Sequence, residues 1–155
     1  MSHLSLHSPL GALTVFEEDD ALVALEWGWA EEGEVTQLLE QTKARLDEYF
    51  SGSPVQFEFP TRPAGTDYQQ SVWREMSDIP YGETRSYGDL ARALKSSPRA
   101  VGSACGRNPL PIIIPCHRVL GAGGAMTGFS AAEGIKTKRQ LLDLEALALG
   151  KLLIA

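Results

Sequence analysis

The twelve residues Asn108-Pro-Leu-Pro-Ile-Ile-Ile-Pro-Cys-His-Arg-Val119 constrain this chain more than any other stretch. Pro111 and Pro115 bracket three isoleucines, so backbone donors are missing at both ends and the run cannot continue a helix. Pro115 also biases Ile114 toward extended conformations, and Cys116 is predicted to begin a new, rigidly held turn. Three β-branched side chains in succession belong in a core. Cys116 therefore stands where an apolar interior gives way to a turn, with an imidazole next to it. Considered alone it has two readings. A free cysteine in such a place is commonly a small buried hydrophobe. Beside an imidazole it is also a candidate nucleophile, because the thiolate is the reactive species and a nearby base raises its population.

In extended backbone, successive side chains point to opposite faces, so Cys116 and His117 do not readily share a direct hydrogen bond. A bridging water is the natural solution. Thiol proteases draw their base from distant sequence and must turn over an acyl-enzyme. The adjacent pair here suits a thiol that is activated once.

Hydrophobic periodicity divides the chain in two. Leu4 to Phe16, broken by Ser8-Pro9-Leu10-Gly11, and Leu22 to Trp27 predict short antiparallel strands. Val35, Leu38, Leu39, Thr42, Leu46, Tyr49 and Phe50 recur at helical spacing, and Ser51-Gly52 and Pro54 end that helix. Val55 to Phe59 is read as a returning edge strand. Thr61-Arg-Pro-Ala-Gly-Thr66 is the predicted linker, with Thr66 or Asp67 capping a helix through Val72 and Met76 to Ile79-Pro80. Ser86-x-x-Asp89 resembles a capping box for a helix through Leu90 and Leu94. Ser97-Pro98 supplies an N-cap and first-turn proline for another ending near Arg107-Asn108. This spacing fits a helix-turn-helix and equally two packed core helices. The small Ala100, Gly102, Ser103 and Ala104 would let the second helix approach a groove closely, with Arg99 and Arg107 adding positive charge.

A net charge of −6 opposes association with a polyanion. Its distribution does not. Residues 1–70 carry 3 Lys/Arg against 13 Asp/Glu, whereas residues 71–155 carry 11 against 7. The back half is the candidate polyanion-binding face. Glu17-Glu-Asp-Asp20 and Glu31-Glu-Gly-Glu34 lie in turn-like sequence and read as solvated surface. His3 and His7 have no partner cysteines, so no zinc site is expected. With Cys105 and Cys116 the only cysteines, a disulfide framework is not expected and a reducing cytoplasm is. No apolar run reaches 18 residues, and the N-terminus lacks the pattern of a signal peptide, so no membrane association is expected. The glycine-rich segment 121–128 lacks the Lys-Ser/Thr pair of a phosphate loop.

Ile114-Pro-Cys-His-Arg-Val119, with Arg107-Asn108-Pro109 before it, resembles the active-site signature of the O6-alkylguanine-DNA alkyltransferases, the methylated-DNA–protein-cysteine methyltransferase family. Gly82-Glu-Thr-Arg-Ser-Tyr87, Leu90-Ala91 and Pro98-Arg-Ala-Val-Gly102 are similar to that family's helix-turn-helix. Gly128-Phe-Ser130 and Lys138-Arg-Gln-Leu-Leu-Asp-Leu-Glu145 resemble its binding loop and closing helix. The match covers residues 71 to 145. It implies an α/β protein: an N-terminal ribonuclease-H-like, strand-rich lobe with a flanking helix over residues 1–65, and a helical DNA-binding and alkyltransferase domain over 66–155.

The resemblance also implies an activity and its parts. An alkyl group on guanine O6, and on thymine O4, would pass irreversibly from duplex DNA to Cys116, once per molecule and without a cofactor. His117 would take the thiol proton through a water and Glu145 would orient the ring. Asn108 would tie the turn to nearby backbone. Arg99 would enter the minor groove and occupy the space of an extruded guanine, which must leave the stack to be reached. Tyr87 would press on the neighbouring phosphate and hydrogen-bond the flipped base. Val119, Met126, Phe129 and Ser130 would line the pocket, and Ala100, Gly102 and Ser103 would face the DNA. Phe129 departs from the tyrosine of many relatives, removing a pocket hydroxyl, and the short link between Tyr87 and Arg99 is a second departure. The implied partner is double-stranded DNA carrying O6-alkylguanine, bound by a monomer, with cooperativity along DNA left open. Two rivals stand beside this reading. A binding module for alkylated guanine would keep the helix-turn-helix without an acceptor thiol, and an unrelated helix-turn-helix regulator would ignore the alkyl group and bind a repeated half-site as a dimer.

Overall fold

A computed structural model of the chain describes residues 1–31, 33–127 and 134–151. Strands β1 (Ser2–Leu6), β2 (Leu13–Glu18) and β3 (Ala21–Trp27) form an antiparallel meander in which Val15 pairs with Leu4 on one side and Leu25 on the other. Asp19 and Asp20 alone connect β2 to β3, both at positive φ (50° and 62°). That two-residue geometry matches the twist of the flanking strands, and Asp tolerates it better than most residues. The acidic run thus ends in a hairpin tip at Asp19 and Asp20, while Glu17, inside β2, is buried rather than solvated.

Helix α1 (Gln37–Phe50) packs on β1 and β2 through Leu39, Thr42, Leu46 and Tyr49, a stripe at helical spacing. Its N-cap Thr36 accepts from the Leu39 amide and donates to the buried Glu17 carboxylate, so one hydroxyl satisfies both helix and sheet. The helix begins two residues later than its apolar pattern, because Thr36 caps it and Val35 is left exposed. The expected edge strand over Val55 to Phe59 does not form. Pro54 and Pro60 flank it, and the backbone rejoins the sheet only where the Leu22 amide donates to Pro60 O and the Arg62 amide to Leu22 O, each at 2.8 Å.

Three helices open the second half: α2 (Asp67–Ser77), α3 (Tyr87–Leu94) and α4 (Pro98–Gly106). Thr66 with Gln69 and Ser86 with Asp89 make reciprocal capping boxes, and Ser97 caps α4 with Pro98 at its first position. α2 stops at Ser77, short of Ile79, and the Asp78 and Ile79 amides close its last turn. Lys95 ends α3 in the left-handed conformation (φ 53°), which turns the chain into α4 within three residues. All three helices pack together, and the Trp73 indole donates to Ala104 O at 2.9 Å.

Two further features position the segment that carries Cys116. The isoleucine run is a closed turn rather than a strand: the Ile114 amide donates to Leu110 O at 2.8 Å, and Ile112 takes a φ of 74°. A β-branched residue there is strained, by about 1–3 kcal/mol. Burial of Ile112, Ile113 and Ile114 in the core over-determines the conformation. Beyond it, β5 (Val119–Leu120) pairs in parallel with β4 (Arg85–Ser86), a contact without a sequence signal at two residues' length. Because Ser86 caps α3, this pair locks the start of the helix-turn-helix to the Cys116 segment. Helix α5 (Ile135–Ala148) then closes over that segment. No helix of the described residues is long and apolar enough to cross a membrane.

Candidate active site

Asn108 follows the end of α4 and braces the isoleucine turn from inside. Its Nδ2 donates to Ile114 O and its Oδ1 accepts from the Leu110 amide, both at 2.9 Å. The same side chain reaches the Cys116 thiol. Cys116 opens a single turn of 3₁₀ helix, Cys116–Arg118, and is 8% exposed. Burial pushes its thiol up, and hydrogen bonding from Asn108 and the nearby Lys138 ammonium pull the other way without reversing it. At neutral pH the resting group is a protonated thiol.

His117 is fully buried. Its Nε2 lies 2.5 Å from Glu145 Oε2. Burial lowers the imidazole's pKa despite the carboxylate beside it. Burial would raise the Glu145 carboxyl, but His117 and the Arg118 guanidinium outweigh it and bring it down to about 2. These directions describe a neutral imidazole donating Nε2–H to an ionised carboxylate. The other ring nitrogen, Nδ1, is then an acceptor, and among the described residues it has no hydrogen-bond partner.

Glu145 is held from five directions. Arg118 Nε donates to Oε1 at 2.9 Å and Nη2 to Oε2 at 3.0 Å, a bidentate clamp. The Gly82 amide donates to Oε1 at 2.9 Å and the Tyr49 hydroxyl to Oε2 at 2.6 Å. His117 Nε2–H is the fifth donor. Arg118 is itself fixed by Ile79 O at 2.8 Å and lies 5.5 Å from the centre of the Tyr81 ring.

Lys138 and Tyr87 also lie near Cys116. The Lys138 ammonium is buried and donates to Val119 O at 2.5 Å and Thr127 O at 2.6 Å, stapling segment 119–127 to α5. It also lies 5.7 Å from the centre of the Tyr87 ring. Tyr87 opens α3 against Gly102 of α4, and its hydroxyl donates to Thr127 O at 3.1 Å. Burial pushes that hydroxyl up to about 12, so it remains a donor at neutral pH. Val119 is buried and Met126 half-buried. Arg99 is exposed on the first turn of α4, with Ala100 and Gly102 half-exposed and Ser103 exposed on the same helix. Phe129 and Ser130 lie outside the described residues.

The structure thus brings Cys116, His117, Glu145, Asn108, Tyr87 and Val119 to one locus, with Arg99 on the adjoining helix. Sequence reasoning missed Arg118, Lys138, Tyr49 and the Gly82 amide. A signal existed for Lys138. Lys138, Leu141 and Glu145 fall at i, i+3 and i+7, one face of α5, so a lysine and a glutamate share its buried stripe. Tyr49 is indistinguishable from core in the pattern of α1.

A buried thiol beside a neutral, carboxylate-held imidazole, adjoining a capped helix pair with an exposed arginine, agrees with what the chain is similar to. The family model for the 6-O-methylguanine DNA methyltransferase ribonuclease-like domain matches residues 1–63, and that for the DNA binding domain matches residues 67–147. The constitutive methylated-DNA–protein-cysteine methyltransferase of Bacillus subtilis is 40% identical, over 94% of this chain and 96% of its own length. The Methanosarcina acetivorans methylated-DNA–protein-cysteine methyltransferase is 36% identical over 94% and 98%. The crystal structure of Mycobacterium tuberculosis OGT in complex with DNA superposes with a TM-score of 0.85 at 38% identity, covering 96% of this chain and 94% of that one. Both lobes, their order and nearly their whole length are accounted for, and the chain belongs to the 6-O-methylguanine DNA methyltransferase family.

Proposed function

We propose that this protein repairs duplex DNA by moving the alkyl group of O6-alkylguanine, and of O4-alkylthymine, onto Cys116. The observation that carries the reading is the pairing of a buried, protonated thiol with an imidazole whose Nε2 is committed to Glu145 and whose Nδ1 is left as the acceptor. Through one water, Nδ1 takes the thiol proton and the imidazolium is stabilised by Glu145. Sulfur displaces guanine at the alkyl carbon in line: an S–C bond forms as the C–O6 bond breaks, and the proton lost by sulfur is regained by the guanine. The thioether is stable, so each molecule acts once.

Docking falls to the second half of the chain, where the positive balance lies. Arg99 enters the minor groove and fills the vacated stack, while Ala100, Gly102 and Ser103 let α4 approach the backbone. Tyr87 meets the flipped base after exchanging its bond to Thr127 O for one to the substrate. Val119 and Met126 wall the pocket, and Phe129 and Ser130 complete it from the segment beyond Thr127. The N-terminal lobe spans 1–65 and the DNA-binding domain 66–155. The protein works as a monomer, without a diffusible cofactor, in the cytoplasm, where two free cysteines remain reduced.

Incubation with a duplex containing O6-methylguanine, with intact mass and peptide mapping as the readout, tests this. The expected result is one added methyl, on the peptide carrying Cys116. Tight binding with no mass gain would favour a recognition module, and indifference to the alkyl group would favour a regulator.

A further inference from the structure

The Tyr49 hydroxyl is the one polar atom that α1 sends into the catalytic cluster among the described residues, and it crosses between lobes to do so. Tyr49 is fully buried, caged by the rings of Phe50, Phe57 and Tyr81 at centroid distances of 5.3, 5.7 and 5.9 Å. A phenylalanine would fill that cage equally well. What the hydroxyl adds is its 2.6 Å bond to Glu145 Oε2, the same oxygen that receives His117 Nε2–H. We infer that Tyr49 is a positioning residue for alkyl transfer, supplied by the N-terminal lobe, which sets how strongly Glu145 holds His117. The inference rests on Cys116 being the alkyl acceptor.

Oε2 carries three donors, from Tyr49, His117 and Arg118 Nη2, and Oε1 carries two, from Arg118 Nε and the Gly82 amide. Donors on one oxygen compete for its charge. Each bond from Tyr49 or Arg118 weakens the pull of the carboxylate on His117 and keeps the imidazole neutral, able to take the thiol proton. The other charged or titratable groups facing this cluster are Arg118 from the 3₁₀ turn, Lys138 from α5 and Tyr81 from the segment before α3. Arg118 and Lys138 also disfavour the imidazolium. Tyr49 itself stays a donor, because burial and the neighbouring carboxylate hold its hydroxyl well above the ordinary phenol value.

Removing the hydroxyl concentrates charge on Oε2 and raises the pH at which His117 protonates. The acid limb of the pH–rate profile then moves up. Single-turnover rates of wild type and Tyr49→Phe are measured against pH on a duplex containing O6-methylguanine and on free O6-benzylguanine. The limb of Tyr49→Phe is expected about half a unit higher, a threefold loss of rate on the limb, by the same amount on both substrates and with unchanged duplex affinity. Replacing Tyr49 with 3-fluorotyrosine, of nearly the same shape but a stronger donor, moves the limb the other way and answers the question if Tyr49→Phe folds poorly. Superimposable profiles, or a shift on duplex alone, would overturn the role of Tyr49. Failure of the wild type to gain the alkyl group would instead overturn the reading of Cys116.

Discussion

At the scale of single residues, the proposed reaction assigns chemistry and docking to different side chains, which makes them separable by substitution. Cys116→Ala is expected to abolish alkyl uptake while leaving affinity for an alkylated duplex largely intact, since the proposal assigns docking to other side chains. Mass spectrometry and a binding titration check both halves, and methyl transfer to Cys105 would contradict them. Cys105 is a poor substitute: burial pushes its thiol up to about 12, and its Sγ donates to Met76 Sδ at 3.2 Å. Arg99→Ala should do the reverse. Arg99 is exposed on the first turn of α4 and takes no part in the Cys116–His117–Glu145 bonds, so its loss is expected to leave thiol reactivity intact. Unstacking a base costs a few kcal/mol, and losing about 1.4 kcal/mol of the compensation slows duplex repair about tenfold. The ratio of single-turnover rates on duplex and on free O6-benzylguanine measures this, and equal losses would remove Arg99 from the flipping step.

At the scale of elements, the segment 119–127 is held by Lys138 as well as by its own backbone. Its internal bonds include those from the Gly121 amide to Ala125 O at 2.7 Å and from the Gly124 amide to Gly121 O at 3.1 Å, and β5 contributes two residues of pairing. Lys138→Met keeps the apolar stem and deletes both staples, so the Val119 and Thr127 carbonyls each lose a charged donor. A stability loss of about 2–4 kcal/mol in denaturant unfolding is expected, with faster amide exchange at Gly121 and Gly124. Unchanged exchange there would mean that the segment holds itself. Legibility in the sequence obeys the same physics. Caps and turns are local, so Thr66, Ser86, Ser97 and the acidic hairpin can be read where they stand. β4–β5 pairing is non-local and two residues long, which leaves no period to detect. The isoleucine run reads as extended because Pro115 restricts only Ile114. Its closed turn comes from Ile112 crossing to positive φ, a cost that tertiary burial alone can impose.

At the scale of the whole molecule, Glu145 is the point where the two lobes meet beside His117, and that gives the protein a definite response to acid. The N-terminal lobe reaches it through Tyr49 and the C-terminal domain through His117, Arg118 and Gly82. No charge pattern in the front half announces this, because its contribution is one hydroxyl hidden in an apolar stripe. The Glu145 carboxyl titrates at about 2 in the fold against 4.5 when unperturbed. A depressed folded value means that the unfolded chain binds the proton first, so the stability Glu145 contributes is fully present above 4.5 and is lost as pH falls from there toward 2. The shift corresponds to about 3 kcal/mol at most. His117 adds in the same direction, since burial lowers its folded value below 6.5 and stability begins to fall as pH drops through that point. Thermal unfolding measured against pH should therefore be level between about 6.5 and 9, above which the raised Cys105 thiol costs stability, and decline in two stages below 6.5. Glu145→Gln should remove the lower stage and reduce the plateau by about 3–5 kcal/mol, because the Arg118 guanidinium is then buried without its counter-ion. If that variant kept the full acid decline of the wild type, surface carboxylates rather than this junction would govern the acid response, and the coupling of lobes through Glu145 would carry no weight in stability.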